Sequence, residues 1–343
     1  MVRILLFPFA ILYDLVTRLR NYLYDRDLKP SIKFDIPVIC VGNLTAGGTG
    51  KTPMIEHLIR LLDPLHRLAT LSRGYGRKTS GFRIASASDT ASTIGDEPFQ
   101  VFKKYSDTVT VAVGEDRAFA IPNILQEKEN VQVILLDDGF QHRRVKPSFS
   151  ILLSDYHRPF YRDLLLPAGR LRESRAGAAR ADVIIITKCP PEITDDRMMA
   201  IEKSIRRYAD KPVFFAKIHY GEPVPFGKQS GSLADQVVLV TGIANSKPLK
   251  DYVAQSFNVI RHIDRADHYV YRASDLAELS AIAKENPRVC FLTTEKDMVK
   301  LDTPEFSGSI RQLPFFYLPI ETEFIKNGED FDAMVLNAVK GAE

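Results

Sequence analysis

Short, wholly apolar runs separated by segments of helical period mark most of this chain. From residue 36 the runs fall at 36–41, 68–72, 109–113, 131–136, 149–153, 183–187 and 213–218. Several are apolar on both faces, as a strand buried inside a parallel sheet must be. Helical patterns lie between them at 53–62, 115–128 and 194–208. This rhythm predicts an α/β fold with a doubly wound, mostly parallel sheet over residues 26–218. Residues 219–236 hold two Pro and three Gly with little apolar periodicity, and read as a linker with a short β-ribbon. A second alternation follows over 237–343: strands at 237–241, 289–293 and 315–318, and helices near 247–256, 274–285 and 328–340. That is a second, smaller α/β domain.

The first 25 residues follow a different pattern. Residues 4–13, ILLFPFAILY, form an unbroken apolar run. A spanning helix needs about 20 such residues, so the run is too short to cross a bilayer. No A-x-A-like cleavage site follows it, as a secretory signal would require. Asp14, Thr17, Arg18, Asn21 and Asp25 recur at three- and four-residue spacing, opposite Leu12, Leu15, Val16, Leu19 and Leu23. Arg3, Arg18, Arg20 and Tyr22 suit a headgroup region. The segment reads as an amphipathic helix at a membrane interface, bent at Pro8, or as a helix docked on its own domain.

Composition narrows the classes. The chain of 343 residues is 45% hydrophobic and 26% charged, which suits two globular domains rather than a disordered polymer. With 46 basic and 43 acidic residues, no overall charge points to nucleic acid. Cys40, Cys189 and Cys290 are far apart, without metal-binding spacing, and read as buried thiols of a reducing compartment. The basic run Arg143, Arg144 and Lys146 is either a solvated face or a contact for anionic lipid or a substrate phosphate.

The chemistry begins after the first strand. Thr45-Ala46-Gly47-Gly48-Thr49-Gly50-Lys51-Thr52 lies between that strand and a helix, and fits the phosphate-binding pattern GxxxxGK[ST] except that Thr45 holds the first glycine position. Consecutive N–H groups and a helix N-terminus would cradle phosphate oxygens. Lys51 would reach the β- and γ-phosphates of ATP, and the Thr52 hydroxyl would bind Mg²⁺. Pro53 sits where a missing N–H costs little. The strand at 131–136 runs into Asp137 and Asp138, the arrangement that delivers a magnesium-binding carboxylate from a neighbouring strand. Asp96 and Glu97, in Gly95-Asp96-Glu97-Pro98, read as loop carboxylates, either simply solvated or supplying the proton acceptor that a kinase needs.

Nine ordered segments together resemble the tetraacyldisaccharide 4'-kinase family: VGNLTAGGTGKTP (41–53), SRGYGR (72–77), GDEP (95–98), VGEDR (113–117), LDDGFQH (136–142), LPAGRLRE (166–173), TGIA (241–244), DHY (267–269) and TTEKD (293–297). The resemblance runs nearly end to end. It departs at Arg170, where many relatives carry Pro, and at Tyr269, where a second His is usual. It implies transfer of the γ-phosphate of ATP to the 4'-hydroxyl of tetraacyldisaccharide 1-phosphate, giving lipid IVA. It also implies two α/β domains joined by a two-stranded linker, with the active site in the cleft. On motif correspondence, Asp96 and His268 would form a base dyad from opposite sides of that cleft. Glu97, Asp137 and Asp138 would lie at the metal. Asn43, Arg73, Arg117, Gln141, Arg172 and Glu173 would meet the substrate or the phosphates. The place implied is the cytoplasmic face of the bacterial inner membrane, held peripherally, with the lipid and the membrane surface as partners and no stable protein partner.

Two other nucleotide-binding classes fit less well. A partitioning or transport NTPase switch, membrane-associated, places a lysine before the double glycine, and here that position is Ala46. A GTPase needs an Asp where Thr187-Lys188-Cys189 is followed by Pro190.

Overall fold

A computed structural model describes residues 2–227 and 236–341 of the chain. The strands are β1 (Val38–Asn43), β2 (Leu68–Ser72), β3 (Arg83–Ile84), β4 (Val109–Val113), β5 (Val133–Asp137), β6 (Phe149–Asp155), β7 (Val183–Thr187), β8 (Val213–Tyr220), β9 (Val224–Pro225), β10 (Gln236–Thr241), β11 (Asn258–Asp264), β12 (Val289–Thr294), β13 (Phe315–Leu318) and β14 (Ile320–Phe324). The helices are α1 (Val2–Asp25), α2 (Lys51–Leu62), α3 (Ala91–Ile94), α4 (Asp96–Tyr105), α5 (Arg117–Glu127), α6 (Asp195–Ile205), α7 (Lys247–Ser256), α8 (Ala273–Glu285), α9 (Glu295–Leu301), α10 (Ser307–Ile310) and α11 (Gly328–Lys340).

They form two sheets. The larger runs β14-β8-β7-β6-β1-β5-β2-β4-β3, parallel except for its two edge strands. The smaller runs β11-β10-β12-β13-β9, with only β9 antiparallel. The doubly wound reading therefore holds. β1 lies between β5 and β6, while its own crossover helix α2 leads on to β2. The winding reverses there, and the crevice at the carboxyl ends of β1 and β5 is where such sheets bind ligands. Alternate residues of β1 explain its continuous apolarity: Ile39 and Val41 pack with Met54, Leu58 and Ile59 of α2, while Val38 and Cys40 pack with Ala120 and Ile121 of α5. All three cysteines are buried.

The chain's last segment differs from the sequence reading. Residues 320–340 were expected in the smaller domain. Instead β14 pairs antiparallel with β8 of the larger sheet, and Phe331, Val335 and Val339 of α11 join the core on α2. The tie between the sheets is accordingly a ribbon of two distant segments. β8 continues into β9, β13 continues into β14, and between the two ladders the Gly221 N–H donates to Pro319 O at 2.9 Å. The expected linker at 219–236 supplies one of these strands, and its residues 228–235 lie outside those described. The sheets also meet through α4 and α9, where Ile94, Phe99 and Val113 pack on Met298 and Val299.

α1 is a single 24-residue helix with Pro8 inside it. Ala10 and Tyr24 are buried against the larger unit, whereas Leu5, Leu12, Leu15 and Leu19 are each about 60–70% exposed. The polar side is the docked side. No helix among the described residues is long and apolar enough to cross a membrane.

Candidate active site

The turn from β1 into α2 is shaped by its own residues. Gly50, the residue before α2, has φ 83°, a left-handed conformation in which a side chain would be strained. Asn43, at the end of β1, donates to Thr49 Oγ1 at 2.7 Å and to Gly47 O at 3.3 Å. Asn43 is fully buried. Expected at the substrate, its amide here braces the phosphate loop from beneath. Thr187 donates to Thr49 O at 2.9 Å, and Lys188 donates to Gly48 O while pairing with Asp155 at 2.8 Å. Thr187 at the end of β7 and Lys188 just after it, read in the sequence only as a guanine-motif remnant, hold the loop's other side. On the remaining flank Ala46 N donates to Arg170 O at 2.7 Å, and Arg172 N donates to Leu44 O at 2.7 Å.

Lys51 and Thr52 open α2, so the loop residues Thr45, Ala46, Gly47, Gly48, Thr49 and Gly50 lead directly into its N-terminus. Facing them are the two carboxylates that end β5. Asp138 pairs with Lys51 at 3.6 Å, and Arg172 donates to its two oxygens at 2.9 and 2.8 Å. Burial would push the Asp138 carboxyl up; the Lys51 and Arg172 charges outweigh it and hold it below the ordinary range. Asp137 has the opposite balance. Burial, then the nearby Glu97 charge, push its carboxyl up to about 7. Its Oδ1 is buried without a hydrogen-bond partner among the described residues. A buried carboxylate oxygen left in that condition suits a divalent cation, which would replace the missing partner. No three His, Cys, Asp or Glu side chains among the described residues form a metal cage.

Asp96 and Glu97 are not loop carboxylates. They form the first turn of α4, where the helix N-terminus favours negative charge. Gly95 makes the turn, with φ 97° and the Tyr75 carbonyl 3.0 Å from where a Cβ would sit. From the other sheet comes His268, whose Nδ1 lies 3.2 Å from Asp96 Oδ2. Lys300 Nζ lies 3.7 Å from the same oxygen. Burial alone would push the Asp96 carboxyl up, but the His268 hydrogen bond and the charges of Lys300 and Lys296 hold it below the ordinary range. Lys296 Nζ lies 3.4 Å from His268 Nε2. An ionised carboxylate can only accept, so the Nδ1–H is the donor to Asp96.

The remaining expected site residues join the crevice to α1. Glu173 is buried and accepts from Asn21 at 2.7 Å, Gln141 at 2.9 Å and Arg180 at 2.8 Å. Its carboxylate thus joins α1, Gln141 and Arg180 at the edge of the site. Gln141 also donates to Asn43 O at 2.9 Å. Tyr13 donates to Arg172 O at 2.8 Å, and Arg20 donates to Gln141 O at 2.7 Å. Arg143 is not a solvated charge: it pairs with Asp25 at 2.7 Å and lies over the Tyr24 ring, clamping α1. Arg117 is almost fully buried, and burial lowers its guanidinium to about 10 against the pull of Asp137 and Asp138. Arg73 is exposed near it. A cavity of about 90 Å³ lies between Arg20, Arg117, His142 and Arg143. Burial, then the Arg117 charge, push His142 down to about 4, so its ring is neutral at pH 7.

The known proteins that this chain resembles agree with one another. The family model described as tetraacyldisaccharide-1-P 4'-kinase, LpxK, matches residues 2–340. The tetraacyldisaccharide 4'-kinase of Flavobacterium johnsoniae is 42% identical over 345 residues, covering 99% of this chain and 98% of that one. The one from Cytophaga hutchinsonii is 40% identical over 325 residues, covering 93% and 91%. Among solved structures, LpxK from Aquifex aeolicus in complex with ATP superposes with TM-score 0.78 at 28% identity, covering 99% of this chain and 100% of that one.

Proposed function

The chain belongs to the tetraacyldisaccharide-1-P 4'-kinase family and has that kinase activity in lipid A biosynthesis, and from this premise we propose how its residues perform the transfer. ATP is the donor, and the 4'-hydroxyl of tetraacyldisaccharide 1-phosphate is the acceptor. The bond from the γ-phosphorus to the β-phosphate oxygen breaks, its electron pair leaves on ADP, and the 4'-oxygen takes the phosphoryl group to give lipid IVA. The hydroxyl proton goes to Asp96. His268 and Lys300 both approach Oδ2, which leaves Oδ1 for that proton. His268 orients the carboxylate through its Nδ1–H.

The transition state is loose and charge-rich, so positioning and electrostatics do most of the work. Backbone N–H groups over Gly47 to Thr52 cradle the phosphates, and Lys51 and Arg172 supply cations. The Lys51–Asp138 pair keeps the ammonium in the crevice before nucleotide arrives. Thr52, Asp137 and Asp138, with Glu97 alongside, would hold Mg²⁺, which would offset the charge of the phosphates. Arg73, Arg117 and the cavity beside His142 would receive the anionic end of the lipid. α1 would lie in the interface on the cytoplasmic face, its exposed leucines in lipid and its polar side on Gln141, Arg172 and Glu173.

The observation that carries this reading is the meeting of Asp96 and His268, borne by different sheets, one residue along from the carboxylate that acts on Asp137. Transfer of radiolabelled γ-phosphate from ATP into tetraacyldisaccharide 1-phosphate in mixed micelles tests it. Lys51→Ala should lower turnover at least about a hundredfold, the scale of losing one strong electrostatic stabiliser. Turnover near wild type would remove Lys51 from the mechanism.

A further inference from the structure

One face of α9 lies behind the proton acceptor. Lys296 and Lys300 are one turn apart and reach His268 and Asp96 respectively. Lys300 is mostly buried, at 8% side-chain exposure, and sits between two carboxylates: Asp96 at 3.7 Å and Asp297 at 3.2 Å. Asp297 is itself fully buried, accepting from Gly242 N at 2.8 Å and Thr294 Oγ1 at 2.7 Å. A buried ammonium is costly unless paired, so this lysine is fixed by its two partners rather than free to turn outward. α9 is in turn fixed to α4. Lys104 of α4 bridges Glu56 and Glu295, Lys103 pairs with Asp302, and Phe99 packs with Met298 and Val299.

We infer that Lys300, anchored by Asp297, is the positioning residue of the Asp96 carboxylate, a cation supplied by the smaller unit that fixes Oδ2 beside His268 and turns Oδ1 toward the substrate hydroxyl. The inference rests on the reading of Asp96 as proton acceptor. Lys300 acts through Asp96 and does not itself touch the reacting atoms. The charged groups around Asp96 are His268 with Asp267 behind it, Lys296 and Lys300 with Asp297 from α9, and Glu97 on its own helix. Of these, Lys300 is the most deeply buried cation, so its charge is the least screened by water.

The test is Lys300→Met and Lys300→Arg, each made in the wild-type chain and in Asp96→Asn, with turnover followed against ATP and lipid. Lys300→Met should lower kcat about tenfold or more and leave KM for ATP unchanged. Lys300→Arg should restore most of the rate. In Asp96→Asn, Lys300→Met should cost nothing further. A further loss there, a raised KM for ATP, or no recovery in Lys300→Arg would overturn the inference and place Lys300 on the phosphates or in the fold alone. If Lys300→Met does not fold by circular dichroism, Lys300→Gln keeps a donor without the charge and carries the same expectations. If Asp96→Asn alone turns over normally, the assignment of Asp96 fails before Lys300 is touched.

Discussion

Removing Asp96 and His268 singly and together gives a number that the structure sets in advance. The two residues are 172 positions apart and come from different sheets, so their coupling runs through the 3.2 Å contact between Nδ1 and Oδ2. A hydrogen bond to a charged group contributes about 1.5–3 kcal/mol. The His268 side chain is 39% exposed, and solvent screening lowers the expected coupling to about 1–2 kcal/mol. That corresponds to about five- to thirtyfold in rate. Asp96→Asn removes the proton acceptor and should cost about 10²–10⁴ in kcat, the usual worth of a positioned base. His268→Ala should then cost about five- to thirtyfold in wild type and close to nothing in Asp96→Asn, because a residue that only orients the acceptor has nothing left to orient. Initial rates of lipid phosphorylation at saturating ATP and lipid, with residual activity of Lys51→Ala as the floor, measure all four corners. Equal losses from His268→Ala in both backgrounds would mean that the histidine acts independently, for instance on the transferring phosphoryl group, and the dyad reasoning would be refuted.

Asp137 should make metal binding depend on pH. With its carboxyl raised to about 7 from an ordinary 3.8, the stability it contributes is fully present below its unfolded value and is lost as pH rises through about 7. Mg²⁺ must displace that proton, so affinity for the magnesium nucleotide should be about tenfold higher at pH 8 than at pH 6, beyond the nucleotide's own titration; the same pH dependence in Asp137→Asn would show that another group is responsible. The exposed face of α1 should govern membrane binding: Leu12→Asp with Leu15→Asp and Leu19→Asp should weaken binding to anionic vesicles at least about a hundredfold, while ATP binding and circular dichroism stay unchanged. Unaltered vesicle binding would show that α1 is not the membrane contact. Because the chain has no Trp, Phe7→Trp gives a direct fluorescence reading of insertion.

The sequence alone determined the features built from neighbouring residues. The phosphate loop needs only a strand, a few glycines and a helix start in succession. Its residues 45–52 and the carboxylates at 137 and 138 are therefore legible without tertiary structure, because backbone conformation there is a local matter. The two faces of α1 are likewise written in its periodicity, although only packing shows that the polar face is the docked one, through Tyr13, Arg20 and Asn21. Tertiary structure decided what depends on pairing at long range. Asp96 could be named from its motif, but its place in the first turn of α4 depends on the Gly95 turn against Gly74 and Tyr75. The return of β14 and α11 to the larger sheet has no local signal, since an amphipathic helix packs equally well on any apolar face offered to it. The contacts of Asn43 and Glu173 were illegible for the same reason. A polar side chain near a motif looks exposed in sequence, and only folding shows that it is buried and which donors and acceptors it meets. Lys300 carried no motif of its own, because its meaning lies in the short gap between two helices from different units, a distance that folding creates and sequence does not record.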